Sequence, residues 1–232
     1  MSALDWLAFA LFLFCWLMIE PILARTPFRG KGMAADMEIV RAGWMQSLLR
    51  RDTFLVDAQM IGHTINSASF FGSANLLIIV GVGGSLFAKT DLSEPFRSAV
   101  PFVSDDPAWL FQLKVLLVLA TLLRGLSEFI WAVRQLNYCL AAVGASPVRD
   151  TTQNEAWAHA LSLVVNPAMR SFSKGVRSYY FSLAAALWLF GPVPLIVGSL
   201  LSTLLLLFRQ SRSDTARGIR EVRKLLEQEK AQ

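Results

Sequence analysis

Long apolar stretches at residues 4–23, 66–88, 109–131 and 172–208 restrict this chain to a fold that can live in lipid. A bilayer core is about 30 Å thick, so about 20 apolar residues in a helix cross it, and each of the first three stretches is long enough to cross once. Inside hydrocarbon the backbone amides must be satisfied within the segment, which selects helices over isolated strands. With 54% hydrophobic and 17% charged residues, a soluble domain is excluded. Connections of at most about 40 residues leave room for one bundle and no second globular domain. The expectation is an all-α, polytopic membrane helix bundle over residues 1–208, followed by a basic cytoplasmic helix over 209–232.

Charge sets the topology. Lys and Arg number six between Arg25 and Arg51, two between Lys89 and Arg97, five between Arg134 and Arg177, and seven from Arg209 onward. The second group also holds Asp91, Glu94, Asp105 and Asp106, so that loop reads as external and the other three as cytoplasmic. A signal peptide would need a basic start and a small-residue cleavage pattern. The first stretch is instead followed by Glu20-Pro21, Arg25, Arg29 and Lys31, as in a retained anchor with its N-terminus outside. The protein is expected in the cell (inner) membrane with a cytoplasmic C-terminus.

A cytoplasmic third loop and a cytoplasmic tail require an even number of crossings between them. Residues 172–208 then form a hairpin broken at Gly191-Pro192-Val193-Pro194, because proline lacks an amide and disfavours helix at the preceding residue. Five crossings are preferred over four; the alternative is one kinked helix, since membrane helices tolerate proline.

Between the first two stretches, Met33, Met37, Val40, Trp44 and Leu48 share a helical face in segment 33–50. The pattern suits an interfacial helix with Trp44 at headgroup depth and Arg50-Arg51 in water, or a helix packed on the bundle's end. In the tail, Ile219, Val222, Leu225 and Leu226 form a narrow stripe among basic residues. Such a helix is drawn to anionic headgroups, and its stripe is too short for a sustained coiled coil.

Polar residues inside the apolar stretches are the candidates for function. Asn66, Ser69 and Ser73 recur at three- and four-residue spacing, which permits close helix packing or lines a polar path. Gly81-Val-Gly-Gly has no lysine of a phosphate loop and reads as helix contact. Arg124 and Glu128 lie on one face of the third crossing, as a structural ion pair or as part of an ion, proton or anion path. Arg134, Asn137, Tyr138, Arg177, Tyr179 and Tyr180 fall at the cytoplasmic interface. They form either an aromatic and basic belt or a cluster for a lipid phosphate or cytosolic anion.

Catalytic signals are weak. His63 and His159 form no His-x-x-x-His or Glu-x-x-His pattern, and Cys15 and Cys139 lack disulfide or zinc spacing and read as packing residues. Neither a metal nor another cofactor is expected, and the balance leans away from an enzyme. Expected partners are anionic membrane lipids and further copies of the chain or a larger membrane complex. Nucleic acid is not among them, because the positive-inside bias already accounts for the charge.

Three ordered motifs are recognisable: Asn66-Ser-Ala-Ser-Phe-Phe-Gly-Ser, Trp131-Ala-Val-Arg-Gln-Leu-Asn-Tyr-Cys, and Gly175-Val-Arg-Ser-Tyr-Tyr-Phe-Ser-Leu-Ala ahead of Trp188 and Pro192. Together they resemble the uncharacterised integral membrane family of domain of unknown function 599, found in bacteria and plants. The resemblance covers the chain to about residue 210 and implies a multi-pass fold without an assigned substrate, cofactor or catalytic residue. Gly72 stands where family members often have alanine, a difference in packing. Three functional readings follow: a small oligomeric channel or transporter with a polar path past Arg124 and the Asn66 to Ser73 ladder; a noncatalytic accessory or scaffold subunit; and, behind these, a lipid-acting membrane enzyme.

Overall fold

The structure, a computed structural model, describes residues 2–25, 32–87, 107–147 and 152–229. Among them there are seven α-helices and no strand: α1 (Ala3–Arg25), α2 (Met33–Leu48), α3 (Leu55–Phe87), α4 (Ala108–Ala145), α5 (Asn154–Ala186), α6 (Pro192–Ser211) and α7 (Asp214–Glu229), with a 3₁₀ turn at Leu187–Phe190. The expected all-helical membrane bundle is what forms. Arg29, Lys31 and the expected external loop with Lys89, Asp91, Glu94, Arg97, Asp105 and Asp106 lie outside the described residues.

Among the described residues, four segments are long and apolar enough to cross a membrane: Ala3–Pro21, Leu55–Gly84, Ala108–Ala145 and the one that opens at Pro192 with α6. Helix α5 is not among them, because Glu155, Arg170, Lys174 and Arg177 fall within it and leave its apolar run to the C-terminal part. The Gly-Pro-Val-Pro segment divides two helices, not one bent one. Gly191 takes φ +116°, a left-handed value that side chains rarely adopt, and Pro192 opens α6, where a missing amide costs no helical bond. The two arms pack on each other. Gly198 faces the Ala184 backbone, and Ser202 Oγ donates to the Tyr180 carbonyl at 3.2 Å.

The chain divides into two compact units. The first comprises Met1–Ala24, Gly72–Ser127 and Lys174–Leu206. Its core joins Phe12, Cys15 and Ile19 of α1 to Leu117 and Leu122 of α4, and to Phe181 and Trp188 of the hairpin. Phe9 stacks on Trp188 with ring centres 5.4 Å apart, and Phe12 meets Phe181 edge-on at 6.2 Å. A buried polar group lies at the start of α1. Ser2 and Asp5 bond reciprocally as a capping box, and Trp188 Nε1 donates to Asp5 Oδ1 at 3.2 Å. Lys114 is only 1% exposed, its ammonium 5.8 Å from the Trp188 ring.

The second unit comprises Arg25–Phe71, Glu128–Ser173 and Leu207–Gln232. Its core includes Met45, Leu48 and Leu49, with Ile61, Leu136, Cys139, Leu161 and Val165 from the longer helices. Both cysteines are thus free thiols packed in cores. Phe129 stacks on Phe71 at 5.8 Å, with Phe172 edge-on to both.

Helix α2 packs against α7. Its buried residues are Asp36, Arg41, Gly43, Met45 and Leu48, so of the apolar face read from sequence only Leu48 is fully buried. The reason is ionic. Asp36 accepts from Arg223 Nη1 at 2.8 Å, with Arg220 Nε at 4.0 Å, and Leu226 lies against Gly43. Trp44 Nε1 donates to buried Asp57 at 2.6 Å, and Arg51 pairs with the same carboxylate oxygen. Arg41 Nε donates to Asn166 at 2.6 Å, and burial pulls its guanidinium pKa below the ordinary value. Of the tail stripe, Leu226 is engaged while Val222 and Leu225 remain exposed.

Candidate functional site

Within the first unit, α1, α4 and α5 border a small, half-open recess. Trp16, Ile19 and Glu20 come from α1, Arg124 from α4, and Lys174, Arg177, Ser178 and Phe181 from α5. Helical periodicity explains the set. Residues three and four apart share a face, so Trp16, Ile19 and Glu20 line one side, and Lys174, Arg177, Ser178 and Phe181 another.

The side chains are held in place. Arg177 Nε and Nη2 both approach Glu20 Oε1, at 2.9 and 2.8 Å. The Arg124 guanidinium lies 5.4 Å from the centre of the Trp16 ring. Ser178 is buried and donates to the Gly175 carbonyl at 2.6 Å, which turns its hydroxyl proton away from the recess. Directly behind it the helices come close. A Cβ on Gly125 would collide with Ser178 and stand 3.1 Å from Asn75 Nδ2. Asn75 is wholly buried, donates to the Leu122 carbonyl at 2.9 Å, and leaves Oδ1 without a hydrogen-bond partner among the described residues.

Three cations therefore share the recess wall with one carboxylate. Of the cations, Arg177 is paired with Glu20 and Arg124 rests against the Trp16 ring. Planar guanidinium groups suit oxyanions in particular, since two N–H donors can meet two oxygens at once.

The other sequence candidates are distributed differently. Asn66, Ser69 and Ser73 lie on α3 and are exposed. Arg134 and Tyr138, in the second unit, bond each other, Nε to Oη at 2.6 Å, and both are exposed. Asn137 is exposed and donates to the Val133 carbonyl at 2.9 Å. Glu128, one turn beyond Arg124, belongs to the second unit. Arg177 is in the recess, while Tyr179 and Tyr180, partly buried, pack against the apolar core of the first unit. Trp16, Glu20, Lys174, Ser178 and Asn75 are not among the site candidates that the sequence offers. A glutamate three residues from the end of an apolar run, with Trp16 one turn before it, was the available signal for α1. Among the described residues no group of three His, Cys, Asp or Glu side chains could hold a metal ion.

A family model described as protein of unknown function, DUF599, matches residues 7–215. The chain belongs to this family. The DUF599 match spans every residue of the recess and stops short of Arg220 and Arg223, the partners of Asp36. No curated protein and no solved structure matches the chain.

Proposed function

We propose that this DUF599 protein is a small, oligomeric channel or transporter for an anion, held in the cell membrane with its N-terminus outside and its C-terminus in the cytoplasm. Five crossings, with the apolar part of α5 as the fourth, give this orientation and keep the basic connections on one side. One observation carries the proposal: Arg124, Lys174 and Arg177 line a recess of the first unit together with Glu20, which pairs with Arg177. Ionisable side chains within or beside membrane segments recur along ion and substrate paths. The Asn66, Ser69 and Ser73 edge of α3 adds to a path where it faces a second copy.

Anion flux into vesicles containing the purified protein tests this. Arg124→Gln is expected to lower flux by about tenfold or more, the loss of one charge-assisted contact. Flux at the level of protein-free vesicles, or an unchanged rate in Arg124→Gln, would overturn transport.

A second reading, an accessory or scaffold subunit, is favoured by α3. Only 11% of its apolar window is buried, and its exposed residues include Asn66, Ser67, Ser69 and Ser73. Helices bearing small polar residues dock closely on other helices. Mild solubilisation of native membranes is then expected to release the protein in an assembly; a stable monomer with nothing copurifying would count against both docking and oligomerisation.

A further inference from the structure

We propose that α7 is an arm with two resting places. The Arg220 and Arg223 edge that meets Asp36 of α2 also fits the phosphates of an anionic membrane surface, and α7 exchanges one for the other. The inference stands apart from the recess and from transport.

The anion site is built on α7 itself. Arg220 and Arg223, one turn apart, converge on a single carboxylate: Arg223 Nη1 lies 2.8 Å from Asp36 Oδ1 and Arg220 Nε 4.0 Å from Oδ2. Two guanidinium groups around one anion are the donor set that a headgroup phosphate takes, and Asp36 fills that place from within the chain. The pairing is open to competition. Asp36 is fully buried, and its Oδ2 has no hydrogen-bond partner among the described residues. Taking a carboxylate out of water offsets much of what its pairing returns, so the docked state gains little over one in which both charges find other partners.

The apolar side of α7 is divided in the same way. Ile219, Val222, Leu225 and Leu226 share one side of the helix. Helix α2 covers an edge of it, with Leu226 against Gly43, and leaves Val222 and Leu225 42% and 61% exposed. A helix lying in the membrane interface buries such an arc whole, with its cations at the flanks on the headgroups.

The chain keeps the arm beside the bilayer. Only Arg212 and Ser213 separate α7 from α6, which opens one of the segments apolar enough to cross. Ser213 Oγ accepts the Ala216 amide at 3.1 Å, so the N-terminal cap belongs to the linker and travels with the helix. The two places are exclusive, because Arg220, Arg223 and Leu226 serve both. Negative surface charge therefore biases the arm toward lipid, and Asp36 holds it on α2.

The test reconstitutes the full chain in vesicles of phosphatidylcholine alone or with about a third phosphatidylglycerol, which gives a negative surface. Spin labels at Ser47→Cys on α2 and Gln228→Cys on α7, both exposed positions, report the separation of the helices; Cys15 and Cys139 are buried. One short distance is expected in neutral vesicles, which also shows that the labelled chain is folded. In anionic vesicles the ratio of the longer to the shorter distance is expected to rise about tenfold or more, as for one or two cations reaching the surface, and salt is expected to reverse it. A single label at Leu225→Cys is expected to pass from water into oxygen-accessible acyl chains over the same series. Asp36→Asn removes the competing charge with little change of shape and is expected to release α7 at a lower phosphatidylglycerol content. Equal distances in neutral and anionic vesicles, a Leu225 label that stays in water, or an Asp36→Asn variant that needs as much phosphatidylglycerol as the wild type would each overturn the exchange. Coupling between labels on two copies would assign the released arm to a second chain and overturn lipid as its partner.

Discussion

Gly125→Leu is expected to abolish folding of the first unit, leaving little protein that survives detergent extraction as a monodisperse species. The Cβ alone would collide with Ser178 Oγ and stand 3.1 Å from both Ser178 Cβ and Asn75 Nδ2. Ser178 cannot swing away cheaply, since its hydroxyl bonds Gly175 at 2.6 Å, and Asn75 is fixed on the Leu122 carbonyl. Adding one methyl group is expected to cost about 1–3 kcal/mol, the usual range for an overfilled core, and a leucine more. Gly125→Ala with Ser178→Gly is the control. Removing the Ser178 side chain gives the methyl group space, so the double variant is expected to recover most of the thermal stability that Gly125→Ala loses. Gly125→Ala as stable as the wild type, or equal loss in single and double variants, would show that the α4–α5 approach at Gly125 does not limit stability.

The second large effect lies in the other unit and has an unequal pair of outcomes. Arg223→Leu is expected to be more damaging than Asp36→Leu, although each removes one end of the same 2.8 Å contact. Asp36 is fully buried, whereas Arg223 is 25% exposed at its side chain and also bonds Glu227 at 2.9 Å. Without Arg223 a buried carboxylate is left with Arg220 at 4.0 Å, a loss of about 3 kcal/mol, the low end for a stranded buried charge. Without Asp36 the arginine retains water and Glu227. Trypsin cleavage within α7 tracks opening of the α2–α7 contact, so about 3 kcal/mol becomes a roughly hundredfold faster cut in Arg223→Leu. Asp36→Leu is expected to change the rate much less, and the double variant to restore most of the protection. Equal acceleration by the two single variants would mean that the pair holds no buried charge in place.

The architecture was legible because lipid imposes it. Apolar length marked α1, α3 and α4, and Gly191 with Pro192 marked the break between α5 and α6 through backbone conformation alone. The face of α2 was not legible from periodicity. Asp36 and Arg41 look like solvent residues until Arg223, 187 positions away, and Asn166, 125 positions away, turn them inward.

The site was half visible for a related reason. Arg124 and Arg177 stood out as charges within or beside apolar runs, but Arg177 meets Glu20 across 157 residues, and no local spacing encodes that. Asn75 reads as one polar residue in an apolar run, whereas the evenly spaced Asn66, Ser69 and Ser73 stand out in the sequence and are exposed. Regular spacing reports a helical face; it does not report which neighbour covers it.

The joining of α2 to α7 also orders events at the ribosome. Asp36 emerges early and cannot meet Arg223 until 187 more residues have been made, a wait of roughly ten to forty seconds at ordinary translation rates. Through that interval α2 has no α7 to cover Gly43 or neutralise its carboxylate. The α2–α7 contact is therefore the late part of the second unit, formed only after Arg223 has been made.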